Sequence, residues 1–249
     1  MDWSRAKSIL ILAFLALNVF LADQLLTAKG EQAQNQKVSE ETQRELKDLI
    51  ADQQITLKAD LPKTALQVSS LEAKPKDEET LLEKDDRWES MSEGNYRLVF
   101  HTPVEPVDGL DKMLKRYVPD FEEYRMLGPQ GDQQKTFFQI HNGRPIFDSR
   151  LIVRLKDGAV KELRLTPLTI LENKNNTRTG LSAQDALVRL IQYGRIDKGA
   201  TVTDVTLGYH GQAYDGSSRF LFPVWRIQTE ETTFYINALT QVIEAVPNR

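Results

Sequence analysis

The chain has 249 residues, a net charge of −4 and no cysteine. Its charges are mixed, with no basic block, so there is no electrostatic footprint for nucleic acid. Without cysteine there is no disulfide and no lipoprotein processing, so any exported portion is held by packing alone.

The N-terminus reads MDWSRAKSILILAFLALNVFLADQLL. Residues 9–22 are almost wholly apolar, broken only by Asn18, and Leu25 and Leu26 extend the run past Asp23 and Gln24. A span of about 18 residues at ~1.5 Å each reaches ~27 Å, just short of an average hydrocarbon core. Arg5 and Lys7 ahead of it favour a cytoplasmic N-terminus. The competing reading is a cleavable signal peptide, which wants small residues at the last and third-last positions before the cut. Cutting after Ala22, Ala28 or Ala33 puts Phe20, Leu26 or Glu31 at the third-last position, so an uncleaved signal anchor is favoured. The expected layout is a cytoplasmic N-terminus at 1–8 and a transmembrane anchor at 9–28. The expected localisation is the cell membrane, single-pass, with the C-terminal domain extracytoplasmic. Asn18 is costly near mid-bilayer unless it finds a partner, and Ile11, Leu15 and Ala22 share its helical face. Either Ile11, Leu15, Asn18 and Ala22 form a partner-binding face, or Asn18 bonds its own turn.

Residues 29–94 read as a juxtamembrane linker and a mixed N-terminal region. Ser39 is placed to cap a helix with Leu46, Leu49 and Ile50 on its apolar face. Residues 55–61 and 66–71 alternate loosely, like short strands separated by Leu61-Pro62. The acidic stretch at 74–91 reads as a solvated loop passing into a short helix around Leu81, Leu82 and Trp88.

A first lobe is predicted at 95–171. It opens with a strand at 96–100 ended by Thr102-Pro103, then a helix capped by Asp108, carrying Leu110, Met113, Leu114 and Tyr117, and stopped at Val118-Pro119. Strands follow at 121–127, 135–141, 144–155 and 159–165. Asn142-Gly143 and Asp157-Gly158 between them are strong hairpin signals. After a polar linker at 172–180, a second lobe is predicted at 181–249. Ser182 caps a helix with Ala186, Leu187, Leu190 and Ile191 on one face, and strands follow at 202–210, 220–228, 232–238 and 241–246. Both lobes run from one helix into antiparallel strands, and their final hairpins align loosely, with Thr240-Gln241 in place of Asp157-Gly158. The expected fold is α+β: a transmembrane helix followed by two related lobes of antiparallel sheet, each packed on a helix. A single continuous sheet is the alternative.

No catalytic pattern stands out. There is no nucleophile elbow, phosphate loop or HExxH, and adjacent acids such as Glu122-Glu123 and Glu230-Glu231 point to opposite strand faces. The chain is therefore read as a non-enzyme without cofactor. His101, His141 and His210 are far apart and lack metal-ligand spacing, so each is expected to make an ordinary hydrogen bond. Tyr209, Tyr214, Phe220, Phe222, Trp225, Phe234 and Tyr235 form a dense aromatic set. They either line a peptide or partner groove or fill the second lobe's core.

Met1-Asp2-Trp3-Ser4, Lys7 and the aliphatic run with Leu17-Asn18-Val19-Phe20-Leu21 resemble the opening of the YycI (WalI) family. The Leu61-Pro62 region and the closing PVWRIQTEETTFYINALTQVIEA fit it too, and the closing segment also resembles the end of a PepSY-like module. Gln241 departs from the glycine common at that turn in PepSY-like endings. The resemblance implies a membrane-anchored regulator of an essential two-component system that controls cell-wall metabolism in Gram-positive bacteria. Its implied partners are the sensor histidine kinase (WalK/YycG-like), a YycH-type regulator and the membrane through one helix, with no nucleic acid, catalytic residues or cofactor. The PepSY likeness implies the alternatives, an extracytoplasmic peptidase inhibitor or a ligand-binding protein.

Overall fold

The computed structural model describes residues 14, 17, 40–62, 66–92, 94–128, 130–171, 177–211, 213–214 and 218–247. Apart from Phe14 and Leu17, the predicted anchor at 9–28, including Ile11, Leu15, Asn18 and Ala22, lies outside them, as does the predicted cap Ser39. Among the described residues no helix is long and apolar enough to cross a membrane. The chain divides into two units, residues 1–52 and 53–249. In the first, residues 40–52 form helix α1, on which Leu46 is buried and Leu49 and Ile50 are half-buried.

The second unit begins with β1 (Thr56–Leu57), β2 (Leu66–Val68), β3 (Leu71–Pro75), the short helix α2 (Glu78–Leu82), β4 (Glu89–Ser92) and β5 (Asn95–Val104). Helix α3 (Leu110–Tyr117), a 3-10 turn at Phe121–Glu123 and β6 (Tyr124–Met126) follow, then β7 (Gln134–His141), β8 (Arg144–Lys156), β9 (Ala159–Leu165) and β10 (Leu168–Leu171). The last part holds β11 (Arg178–Gly180), α4 (Ala183–Gln192), β12 (Thr201–His210), β13 (Ala213–Tyr214), β14 (Ser218–Thr229), β15 (Thr232–Asn237) and β16 (Ile243–Pro247).

The two hairpin signals set the frame. Asn142 and Gly143 have φ of 49° and 75°, and Asp157 and Gly158 have 52° and 83°. These are the positive values that a two-residue turn needs to match strand twist. They fold β7, β8 and β9 into a meander that β5 and then β4 extend. One face is closed by α3 and the 3-10 turn, and Leu81, Trp88, Leu98, Phe100, Leu114 and Leu163 are among the buried side chains of the resulting cluster.

In the other half, the Ser182 hydroxyl caps α4 by accepting from the Asp185 N–H at 3.1 Å, as expected. Its apolar face of Ala186, Leu187, Leu190 and Ile191 is buried. Strand β14 lies between β12 and β15, and β16 completes the edge. At the edge turn Gln241 takes a φ of 65°, and the Asn237 side chain accepts from the Leu239 and Thr240 N–H groups. That side-chain cap serves where a glycine would otherwise stand.

Among the described residues, fourteen strands form one sheet, ordered β10-β3-β14-β12-β8-β9-β5-β4 along its main path. The lobes predicted at 95–171 and 181–249 are joined by it at β8 and β12, which run parallel with Tyr209 opposite Ile146. The region at 29–94 also contributes, because β3 lies between β10 and β14. A smaller core of Leu71, Ala73, Ile146, Leu168, Tyr209 and Leu221 seals this junction.

Several local expectations are corrected. Strand β5 runs through Pro103, because its pairing with β9 is interrupted between Val99 and Val104 and no ladder N–H is needed there. Helix α3 starts after Gly109, and the Asp108 carboxylate instead faces Lys112 and Arg116 at 3.4 and 3.8 Å. The first turn of the predicted strand 121–127 is 3-10. Trp88 is not helical: it is buried and donates its indole N–H to the Tyr117 carbonyl at 2.9 Å. The end of the predicted linker is strand β11, paired with β2.

Candidate functional site

Strand alternation divides β14 into two faces. Trp225 and Ile227 are buried on one, where the Trp225 indole donates to the Leu181 carbonyl at 2.7 Å just ahead of α4. Phe220, Phe222, Val224 and Arg226 occupy the other. Phe220 and Phe222 remain 47% and 41% exposed, which is unusual enough for neighbouring aromatics to mark a surface. With Val224, Tyr235 and Val242 they line a groove of about 300 Å³ that His210 and Glu244 border. A second hollow shares both phenylalanines and adds Leu71, Glu72 and Arg178.

The aromatic set therefore splits. Tyr209, Trp225 and Phe234 are core, Tyr235 is half-buried, and Phe220 and Phe222 are surface. The side chain of Tyr214 lies outside the described residues.

A bulge builds the polar end of the groove. Opposite β7 the register of β8 jumps from Arg150 to Ile146, so Phe147, Asp148 and Ser149 have no partner across the ladder. Bulges re-aim side chains in this way. Ser149 turns inward and donates to the side-chain amide oxygen Oε1 of Gln139 at 2.6 Å. Phe147 lies against Gly208, where any Cβ would collide with the Phe147 ring and the Pro145 carbonyl. Asp148 accepts from the Gly211 N–H at 2.9 Å and stands 3.0 Å from His210 Nδ1. On the other edge of the ring, Nε2 is 3.4 Å from Glu244, and the imidazole stacks on Tyr235 at 4.4 Å. Burial alone would lower the His210 pKa, but the Asp148 and Glu244 carboxylates outweigh it and hold it above the ordinary histidine value.

Further along the same face, Arg226 is 3% exposed, paired with Asp204 at 2.9 Å. Its guanidinium lies over the Phe147 and Phe138 rings at 4.6 and 5.2 Å. Among the described residues the groups against His210 are the Asp148 and Glu244 carboxylates and the Tyr235 ring. His141 shares a hydrogen bond with its neighbour Asn142 at 3.0 Å. Among the described residues no group of three or more His, Asp or Glu side chains is placed to hold a metal ion.

The YycI protein family model matches residues 33–239, most of the chain. The chain belongs to the YycI family. Membership associates it with regulation of the YycG (WalK) two-component system. No curated protein matches it. Among solved structures, an uncharacterized protein from Eubacterium rectale ATCC 33656 is 12% identical with a TM-score of 0.45, over 77% of this chain and 89% of that one. The Bacillus megaterium YpeB C-terminal domain is 16% identical with a TM-score of 0.34, over 62% and 77%.

Of this groove, sequence reasoning singled out the aromatics, as either groove or core, and expected only an ordinary hydrogen bond of His210; Asp148, Glu244 and the Asp204–Arg226 pair were not foreseen. Arg226 carried a usable signal, since a lone charge inside the apolar run PVWRI needs a buried partner.

Proposed function

We propose that the chain is a membrane-anchored, extracytoplasmic regulator that biases a WalK-type sensor histidine kinase controlling cell-wall metabolism. It acts with a YycH-type partner and catalyses no reaction of its own. The family match over residues 33–239 is the observation that carries this reading. The apolar N-terminal run behind Arg5 and Lys7 supports the anchor, with everything after Lys29 outside. A regulator shifts a kinase only through differential contact with its two signalling states. Two surfaces of this chain offer such contact: the anchor face of Ile11, Leu15, Asn18 and Ala22, and the groove at Phe220 and Phe222.

A polar contact in lipid is worth on the order of 1 kcal/mol, enough to move a two-state equilibrium about fivefold. Asn18→Leu is therefore expected to insert normally but to weaken co-purification with the kinase or the YycH-type partner. Full regulation from an unrelated anchor would assign the interaction to the outside portion alone. N-terminal sequencing of the membrane-bound protein should read from Met1 or Asp2; a start near Glu31 would remove the anchor from the account.

A further inference from the structure

His210 stands where a single proton decides how many strands it holds together. A neutral imidazole has one N–H donor and one lone pair, whereas the imidazolium donates from both nitrogens. Here both nitrogens face carboxylates: Asp148 of β8 at 3.0 Å from Nδ1 and Glu244 of β16 at 3.4 Å from Nε2. An ionised carboxylate only accepts. A neutral ring that keeps its proton toward Asp148 turns a lone pair toward Glu244, and that contact becomes repulsive. We propose that His210 is a proton-dependent latch: its imidazolium ties edge strand β16 to β8 across one wall of the apolar groove, and loss of the proton frees Glu244 and loosens β16.

The surroundings decide which end opens. Asp148 is fixed by the Gly211 N–H and largely buried, whereas the Glu244 side chain is 50% exposed and can turn to water. Among the described residues, strand β16 pairs only with β15, and Ile243 is its one partly buried residue. Few apolar contacts therefore hold it, and it belongs to the low-stability end of the fold. The titratable groups facing the ring are Asp148 from β8, Glu244 from β16 and the Tyr235 phenol from β15. From β14 the residue opposite is Phe222, which is uncharged, while Arg226 of β14 and Arg150 of β8 act on the Tyr235 hydroxyl.

The direction follows from linkage. A histidine whose folded pKa is raised stabilises the fold fully below its ordinary value, and that contribution is lost as pH rises through the raised one. The latch is closed in mild acid and opens on the alkaline side. It is a property of the chain itself; if the regulatory reading also holds, the shape of the groove responds to protons.

The test uses the full-length chain in lipid nanodiscs. Hydrogen exchange is followed in peptides covering residues 239–247 and, for comparison, 159–165, corrected for the intrinsic pH dependence of exchange. The His210 titration is read in parallel from imidazole NMR. Protection in 239–247 should fall about fivefold as His210 loses its proton, the scale of one partly exposed ion pair, while 159–165 stays constant. Glu244→Gln places an amide donor against the neutral Nε2 and should remove the pH dependence. Unchanged protection in 239–247 through the His210 titration would overturn the latch, as would wild-type pH dependence in Glu244→Gln.

Discussion

The two halves of the sheet share a plan but treat charge in opposite ways. In the half built from β5 to β9, the buried cluster under α3 contains no charged side chain. Arg87, 47% exposed, pairs with Asp85 at 2.7 Å and spreads its guanidinium over Phe100 and Tyr117. In the half built from β12 to β16, α4 covers one face. The other carries Arg226 at 3% exposure, His210 set between its own Glu244 and Asp148 of β8, and two phenylalanines open to solvent. One half is built for packing. The other holds ordered charge beside exposed aromatic surface, and aromatic residues are enriched at protein interfaces.

The largest effect separating the halves is expected at their seam. Gly208→Val should cost about 3 kcal/mol or more in urea unfolding, because the added side chain must displace Phe147 and the Pro145 backbone. Gly131→Ala, whose Cβ would meet nothing closer than the Gln134 carbonyl at 3.8 Å, should be close to neutral. In the apolar half, Leu114→Ala should cost about 3 kcal/mol through cavity formation at a fully buried site.

The charges sharpen the contrast. Asp204→Ala leaves Arg226 buried without its partner and should cost about 3 kcal/mol, much of it recovered when Arg226→Met is added. Asp85→Ala at the rim of the other half should cost less than about 1 kcal/mol. Equal costs for Asp204→Ala and Asp85→Ala in the same unfolding assay would erase the distinction. Ser182→Ala should cost about 1 kcal/mol, the value of an N-cap on α4. The smallest stability change is expected for Phe222→Ser, whose ring is already substantially exposed, so any loss of regulation there reports on binding rather than folding.

Much of the fold was legible where the signal is local. Asn142-Gly143, Asp157-Gly158 and the Ser182 cap act within a few residues, and the strands around them match expectation closely. What sequence did not reveal depends on distant chain segments. Nothing local marks β3 for a place between β10 and β14, since that follows from which edges remain open. The bulge at Phe147, Asp148 and Ser149 carries no glycine or proline cue, so the approach of Asp148 to His210 could not be read from spacing. Pro103 misled for the opposite reason: a strong local breaker is harmless where the ladder skips its missing N–H. The aromatic set was legible as a set, but which members face solvent depends on what covers each sheet face.

The groove at Phe220 and Phe222 is where we expect this regulator to meet its partners. The most direct measurement is in-cell photo-crosslinking from position 222, compared with position 107, where Val107 is 88% exposed in the loop before α3. A crosslinker at 222 should capture the sensor kinase or the YycH-type partner, while the same group at 107 captures neither. Capture at 107 alone, or at neither position, would contradict it.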